Sequence, residues 1–187
     1  MTAGTVWVVA GPPGAGKSTV ARLLAARLDP PAALLDKDTI YGSFVAATLA
    51  AASVPDGSRE GLWYDKHVKL HEYDGLAATT REIRASGCPV VVVAPYTEQI
   101  HDASRWASLV VALGGEPVRL VWLNIDAQTL HNRIVARASH RDTAKLIAFD
   151  AFVARMRPGT PPVVAHDAID ARDPDLEAQI VRIARLH

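Results

Sequence analysis

The chain has 187 residues, of which 49% are hydrophobic and 21% are charged, which is typical of one folded domain and argues against a disordered segment. Its 20 lysines and arginines balance 20 aspartates and glutamates, which argues against a dedicated nucleic-acid binder, because such proteins usually carry a basic excess. The single cysteine, Cys88, excludes an intrachain disulfide and argues against a cysteine-based zinc site.

The apolar stretches of the chain are all short. None of them approaches the roughly 20 residues of a membrane span. The first residues also lack the charged region and removable apolar segment of a secretion signal. We therefore expect a soluble cytoplasmic protein that makes no membrane contact.

Five apolar, partly β-branched runs predict strands at Thr5–Ala10, Ala33–Leu35, Pro89–Ala94, Val118–Leu123 and Pro162–Ala165, the last extending toward Asp170. These runs show little alternation of apolar and polar residues, which favours strands buried on both faces of a parallel sheet. Helical spacing occurs at Lys17–Leu28, Ile40–Ala52, Leu62–Ser86, Glu98–Leu113, Ala127–Ala138 and Pro174–Leu186. The alternation of strands and helices predicts one α/β domain, a three-layer α/β/α sandwich around a five-stranded parallel sheet.

The most specific motif directly follows the first predicted strand. The segment Gly11–Ser18 fits the pattern G-x-x-x-x-G-K-[ST] of a phosphate-binding loop and leads into a predicted helix. Its glycines permit backbone conformations that a Cβ would forbid, so that successive N–H groups can turn toward an anion. We predict that the Lys17 ammonium reaches the β- and γ-phosphates of ATP and that the Ser18 hydroxyl binds Mg²⁺. The predicted ATP-binding residues of this segment are Gly11, Gly14, Ala15, Gly16, Lys17, Ser18 and Thr19.

Two carboxylates follow the second predicted strand, at Asp36 and Asp38. Carboxylates beside a bound triphosphate are unfavourable unless they bind Mg²⁺ or accept a proton. A carboxylate at this place could take the proton from an attacking hydroxyl, and the spacing alone leaves open whether Asp36 or Asp38 would do so. The alternative is that one of them only caps the helix that begins near Thr39.

A basic cluster lies between residues 131 and 157, where six lysines and arginines face two acidic residues, giving a local net charge of 6 − 2 = +4. Arg133, Arg137 and Arg141 are spaced four residues apart and share one helix face. Guanidinium groups match phosphate oxygens, so we predict that these three arginines bind ATP and that Arg137 also stabilises the transferring phosphoryl group. The alternative is a solvated basic face paired with its own acids.

Aromatic and histidine residues cluster between residues 40 and 86, and another tyrosine follows the third predicted strand. This composition favours an aromatic-lined pocket for an acceptor substrate, and the alternative is ordinary helix packing. The third predicted strand ends at Ala94 and carries no acidic residue that could orient Mg²⁺. The predicted substrate-binding residues are Asp36, Tyr41, Trp63, Tyr64, His67 and Tyr96.

Together, the loop Gly11–Ser18, the Asp36-Lys37-Asp38 segment and the Arg133-x-x-x-Arg137 helix resemble small P-loop kinases. The most similar group contains polynucleotide 5′-hydroxyl kinases, chloramphenicol phosphotransferase, zeta toxins and gluconate-kinase-like enzymes. The resemblance implies the P-loop NTPase fold with a helical lid, ATP and Mg²⁺ as cofactors, and Asp38 as general base. It also implies that Arg133 and Arg137 bind nucleotide phosphates and that the adenine packs near Ala171–Pro174.

We predict an ATP-dependent phosphotransferase that acts on a hydroxyl of a small molecule, such as a sugar, a nucleoside or an antibiotic-like compound. Lys17, Asp38 and Arg137 are its predicted catalytic residues, the region from about 40 to 86 binds the acceptor, and the region from about 127 to 157 is the lid. One alternative is a kinase of nucleic-acid 5′-hydroxyls, against which the neutral charge and Tyr41 argue. The other is a regulatory P-loop ATPase or nucleotide switch. The acceptor, the choice of ATP or GTP and the oligomeric state stay open.

Overall fold

A five-stranded sheet lies at the centre of this computed structural model, which describes residues 2–55, 61–139 and 142–185. Its strands are β1 (Val6–Ala10), β2 (Ala33–Asp36), β3 (Val90–Val93), β4 (Val118–Asn124) and β5 (Asp167–Asp170). They lie in the order β2-β3-β1-β4-β5, and every pair is parallel. All residues of β1 and β3 are buried, which explains why the sequence shows no alternation there.

Helices cover both faces of the sheet. Those in the described residues are α1 (Lys17–Arg27), α2 (Lys37–Ala51), α3 (Leu62–His67), α4 (Lys69–Ala85), α5 (Thr97–Ile100), α6 (Ala103–Ala112), α7 (Ala127–Arg137), α8 (Thr143–Ile147), α9 (Phe149–Met156) and α10 (Leu176–Arg185). None of these helices combines the length and the apolar character that crossing a membrane requires.

The two faces of the sheet carry separate hydrophobic cores. Trp7 and Val9 face a core built with α1, α7, α9 and α10, whereas Val6 and Val8 face a core built with α4, α5 and α6. Successive residues of a strand point to opposite faces, so a single apolar strand supplies both cores. The predicted α/β fold with a five-stranded parallel sheet and helices on both faces is therefore confirmed.

The last strand lies later in the chain than the sequence predicts. The prediction centred on Pro162–Ala165 and extended toward Asp170, whereas β5 begins at Asp167 and pairs with β4 from Val121 onward. Pro162 lacks the N–H group that a strand ladder uses, so the centre of the prediction was wrong and only its extension is correct. The predicted end of the last helix, Leu186, lies outside the described residues.

Two long predicted helices are each interrupted. The region Leu62–Ser86 forms α3 and α4, with a break at Val68, whose backbone has φ −130° and ψ −49°. The region Glu98–Leu113 forms α5 and α6, because the Asp102 side chain accepts the first free N–H groups of α6 and starts a new helix there. Helix α2 begins at Lys37, earlier than predicted, which matters for the two carboxylates beside it.

The strand order places the functional motifs together. β1 has β3 on one side and β4 on the other, so the chain connections lead to opposite sides of β1 and leave a crevice at its carboxyl end. The loop Gly11–Ser18 lies at this end. Asp36 ends β2 level with Val93 of β3, at the same edge of the sheet.

Candidate active site

A cleft of about 620 Å³ opens at the carboxyl edge of the sheet. Its walls come from the phosphate-binding loop, the start of α2, helices α3 and α4, the segment after β3, and helices α7, α8 and α9. The loop motif, the strand-end carboxylates and two of the predicted arginines therefore line one space, although they are distant in sequence.

The phosphate-binding loop needs its glycines for two reasons. Gly14 and Gly16 have φ of 95° and 102°, a left-handed conformation that other residues adopt only with strain. A Cβ on Gly14 would also lie 3.0 Å from Cγ1 of Ile134 on α7, which is too close for an ordinary contact. Gly16 is the N-cap of α1, so the positive end of that helix faces the loop. The local geometry is that of an anion-binding nest.

Lys17 lies partly buried beside this loop, and its Nζ donates a hydrogen bond to the Pro12 carbonyl oxygen at 3.0 Å. Burial lowers the pKa of the Lys17 ammonium to about 8, although the carboxylates of Asp38 and Asp36 act in the opposite direction. A phosphate group beside Lys17 would stabilise its charged form. The predicted ATP-binding residues Gly14, Gly16, Lys17, Ser18 and Thr19 all line the cleft.

Asp36 is buried and uses both of its carboxylate oxygens. The Ser18 hydroxyl donates to Oδ2 at 2.5 Å, and the Asp38 backbone N–H donates to Oδ1 at 2.9 Å. The second bond caps α2, so Asp36 has the capping role that the sequence left open. Because α2 begins at Lys37, the strand does not continue, and Asp36 and Asp38 do not share the orientation that an extended strand would give them.

The pair of Ser18 and Asp36 has the chemistry of a Mg²⁺ site. Mg²⁺ prefers hydroxyl, carboxylate and phosphate oxygens, and these two side chains bring such oxygens together at the end of the phosphate-binding loop. Ala94, which follows β3, offers none. The residues present therefore fit Mg²⁺, which Ser18 and Asp36 would hold.

Asp38 lies in the first turn of α2 and lines the cleft, with 57% of its side chain exposed. The Nζ atom of Lys37 lies 3.3 Å from its Oδ1. Lys37 is itself buried against Glu72 and Tyr64, and the Tyr64 hydroxyl donates to the Glu72 carboxylate. Burial, followed by this hydrogen bond, raises the pKa of Tyr64 well above its ordinary value, so that Tyr64 stays a hydrogen-bond donor.

Neither Lys37 nor Glu72 is among the site residues that the sequence predicts. The sequence offered no signal for Lys37, because it predicts the helix only from Ile40 onward and leaves Lys37 outside it. No local pattern links it to Glu72, which is 35 residues away and is brought close only by the packing of α4 against α2.

Two of the three predicted arginines line the cleft. Arg133 donates from Nη1 to the Ala15 carbonyl oxygen at 2.9 Å and from Nη2 to the Ala171 carbonyl oxygen, so it joins the phosphate-binding loop to the segment after β5. Arg137 donates from Nε to Oδ2 of Asp142 at 2.7 Å. Arg141 lies outside the described residues.

Asp142 is a fully buried carboxylate that the sequence analysis did not select. Besides Arg137, it binds Nζ of Lys145 at 2.8 Å. Burial alone would raise the pKa of Asp142, but the hydrogen bonds and charges of Lys145 and Arg137 hold it below its ordinary value. Asp142 thus fixes two cations that line the cleft.

Of the predicted substrate-binding residues, the structure brings Asp36 and Tyr64 to the cleft. The lining does not include Tyr41, Trp63, His67 or Tyr96, because their rings pack elsewhere. The Tyr41 hydroxyl lies against Gly75, where a Cβ would be only 2.1 Å away.

The other three rings make ordinary packing contacts. Trp63 and His67 contact each other at the surface of α3, with ring centroids 5.0 Å apart. Tyr96 is buried against Tyr73 with its ring edge-on, at 5.4 Å. The cleft therefore holds Tyr64 as the one predicted aromatic residue, and Tyr73, Leu70, Lys69 and Glu98 also line it.

Comparison with known proteins gives one family. The AAA domain profile matches residues 6–159, which include the phosphate-binding loop, the strand-end carboxylates and helix α7. No curated protein sequence matches the chain significantly.

Several solved structures share the fold at low sequence identity. A sugar kinase from Janibacter sp. HTCC2649 is 19% identical with a TM-score of 0.62, and the match covers 98% of this chain and 93% of that one. A gluconokinase from Sinorhizobium meliloti 1021 is 19% identical with a TM-score of 0.60, covering 100% and 97%. An APS kinase from Mycobacterium tuberculosis, solved with AMPPNP and APS, is 18% identical with a TM-score of 0.56, covering 100% and 98%. At these identities the similarity establishes the fold, which is that of P-loop kinases.

Proposed function

We propose that this chain, which belongs to the AAA domain family of P-loop proteins, is an ATP-dependent kinase that phosphorylates a hydroxyl group of a small molecule. One observation carries the proposal. A phosphate-binding lysine, two arginines and a carboxylate, namely Lys17, Arg133, Arg137 and Asp38, line the same cleft. A nucleotide-binding switch does not need the carboxylate, because it has no acceptor to deprotonate.

The proposed reaction needs the γ-phosphate of ATP and the acceptor hydroxyl to be held in line with each other. The loop Gly11–Ser18 holds the β- and γ-phosphates through its backbone N–H groups and Lys17. Asp38 accepts the proton of the acceptor hydroxyl while the acceptor oxygen forms a bond to the γ-phosphorus. The bond between that phosphorus and the β–γ bridging oxygen breaks, and ADP leaves with the electron pair.

Charge on the transferring phosphoryl group must be neutralised. Lys17 and Arg137 are the cations proposed for this role, and Arg133 is proposed to hold the nucleotide. Mg²⁺ held by Ser18 and Asp36 would neutralise further phosphate charge when bound. We propose that residues 127–157 act as a lid that excludes water and that the region 40–86 carries the acceptor site.

A small-molecule acceptor is supported by two findings. The similar structures include a sugar kinase and a gluconokinase, whose names describe small hydroxylated substrates. The protein also has no net charge, whereas a binder of nucleic-acid ends would be expected to carry a basic excess.

The direct test is transfer of label from γ-labelled ATP. Purified protein with Mg²⁺ is incubated with pools of sugars, polyols, nucleosides, aminoglycosides and phenicols, and with a 5′-hydroxyl oligonucleotide. Lys17→Ala and Asp38→Asn serve as inactive variants, and Lys66→Ala, an exposed lysine outside the cleft lining, serves as the control. We expect label in one small-molecule pool for the wild type and the control only. Label released solely as free phosphate, with no dependence on Asp38, would contradict the proposal and favour a regulatory ATPase.

A further inference from the structure

We propose that Lys37 is a positioning residue that fixes the Asp38 carboxylate and connects it to the helices α3 and α4. The inference rests on the proposed function, because it assigns Lys37 a role in a reaction for which Asp38 is the base. The observation that carries it is separate: a largely buried network of side chains lies beside Asp38 at the wall of the cleft, and no step of the proposed reaction uses it.

The network is closed and buried. The side chain of Lys37 is 11% exposed and that of Glu72 is 3% exposed. Nζ of Lys37 donates to Oε1 of Glu72 at 3.0 Å and to the Tyr64 hydroxyl oxygen at 3.4 Å, while the Tyr64 hydroxyl donates to Glu72. Each of the three residues therefore binds the other two.

The ammonium group contacts a third partner in the cleft. A lysine ammonium has three N–H donors. Two of them are accounted for by Glu72 and Tyr64, and Oδ1 of Asp38 lies 3.3 Å from the same nitrogen. Glu72 and Tyr64 hold the Lys37 ammonium in place, so this ammonium attracts the Asp38 carboxylate from one fixed direction.

Stability alone does not explain this arrangement. A buried ion pair is rarely more stabilising than an apolar pair of similar size, and a lysine at the start of a helix opposes the helix dipole. The arrangement does give Asp38, whose side chain is 57% exposed, a cationic partner that is itself held in place. An exposed carboxylate otherwise samples several rotamers, and a misplacement of about 1 Å at a reacting group can cost about 100-fold in rate.

The test uses a variant designed to fold. Lys37→Met alone would leave Glu72 buried and charged without its partner, which is strongly destabilising. The double substitution Lys37→Met/Glu72→Gln removes both charges, and the glutamine oxygen still accepts the Tyr64 hydroxyl. Lys66→Met, an exposed lysine on α3 outside the cleft lining, is the matched control for the loss of a lysine.

The first measurement needs no acceptor. Crystal structures of the wild type, the double variant and the control are compared at the Asp38 side chain. We expect one Asp38 rotamer in the wild type and in Lys66→Met, and two or more rotamers in Lys37→Met/Glu72→Gln. A single, unchanged Asp38 rotamer in the double variant overturns the inference.

The second measurement is a double-mutant cycle on phosphoryl transfer. We expect Lys37→Met/Glu72→Gln to lower kcat by about 30-fold while the Kd for an ATP analogue changes by less than about twofold. Because Lys37 acts through Asp38, adding the two substitutions to Asp38→Asn should cost less than about a further twofold. If the kcat losses of Lys37→Met/Glu72→Gln and of Asp38→Asn instead multiply in the combined variant, the network does not act through Asp38. That result would overturn the inference.

The two measurements separate the inference from the proposed function. If the wild type labels no acceptor in any pool, the proposed function fails. The Asp38 rotamers in the crystal structures still decide whether Lys37 fixes this carboxylate.

Discussion

The two walls of the cleft hold their charged groups in different ways. On the nucleotide wall, formed by the loop Gly11–Ser18 and helix α7, Lys17 and Arg133 donate to the backbone carbonyl oxygens of Pro12 and Ala15, and of these three cations only Arg137 binds a buried carboxylate, that of Asp142. On the acceptor wall, formed by the starts of α2, α3 and α4, Lys37 instead binds side chains.

This difference has a physical consequence. A backbone carbonyl is a neutral acceptor, and a phosphate oxygen is a stronger partner for a cation, so Lys17 and Arg133 can exchange the carbonyl for a phosphate readily. The buried ion pair of the acceptor wall cannot be exchanged at low cost, because separating it leaves an uncompensated charge. The nucleotide wall is therefore suited to bind and release a ligand, and the acceptor wall to keep a fixed shape.

The largest expected effect is the loss of Lys17 on the nucleotide wall. Lys17→Ala removes the cation beside the γ-phosphate and should lower kcat/KM by about 10⁴-fold. Lys66→Ala, an exposed lysine, should change it by less than about twofold. Steady-state transfer of label measures both. A Lys17→Ala enzyme with a loss below about tenfold would contradict the assignment.

On the acceptor wall, Asp38→Asn removes the proposed base and should lower kcat by about 10³-fold. The Kd for an ATP analogue should stay nearly constant, because Asp38 is not expected to bind the nucleotide. Asp74→Asn, an exposed residue of α4, is the control. A change confined to nucleotide affinity would mean that Asp38 belongs to the nucleotide wall, which would contradict its assignment to the acceptor wall.

Asp142 tests whether side-chain pairing also matters beside the nucleotide wall. Asp142→Asn removes the buried charge that binds Arg137 and Lys145, and it should lower the free energy of unfolding by about 3 kcal/mol. Asp150→Asn, an exposed neighbour in α9, should change it by less than about 0.5 kcal/mol. Urea unfolding measures both values. Equal stability of the two variants would show that the ion pairs of Asp142 add little.

Gly14→Ala tests the shape of the phosphate-binding loop. A Cβ at φ 95°, lying 3.0 Å from Ile134, should distort the loop and weaken ATP binding by about tenfold. Gly42→Ala is the matched control, because Gly42 lies inside α2 and a Cβ there meets nothing within 4 Å. Calorimetric titration with an ATP analogue compares the two. Unchanged affinity in Gly14→Ala would show that the loop tolerates a side chain there.

The smallest expected effect is a pH dependence of stability from Asp142. Its pKa is lowered in the folded state, so its contribution is complete above the unfolded pKa of about 4 and is lost as the pH falls below that value. The stability gap between the wild type and Asp142→Asn should therefore be smaller at pH 3 than at pH 6. Urea unfolding at both pH values measures this gap. A constant gap would mean that the pKa of Asp142 is not lowered.

Much of the fold could be predicted because its signals are local. Buried parallel strands are apolar throughout, and the segment Gly11–Ser18 needs its residue types for backbone reasons that depend on few neighbours. The same locality explains the errors. Periodicity predicted one helix over Leu62–Ser86, but it carries no information about a backbone break such as the one at Val68.

The candidate site could be predicted only in part. The sequence selected Asp36, Asp38, Arg133 and Arg137, all of which line the cleft, because each lies beside a recognisable motif. It did not separate the aromatic residues that line a pocket from those that pack in a core. Tyr64 and Tyr96 have the same chemistry, and only the packing of α3 and α4 and the turn after β3 gave them different surroundings.

The sequence by itself determined the parallel α/β fold and the phosphate-binding loop, because both depend on short segments whose residue types restrict the backbone directly. Other contacts are visible only in the tertiary structure. Asp36 caps α2 and binds Ser18, and Lys37 binds Glu72. Arg133 donates to the Ala15 carbonyl oxygen, 118 residues away in the chain. These contacts join elements that are distant in sequence. Their partners are selected by how the helices pack on the sheet, and no local pattern of residues encodes that packing.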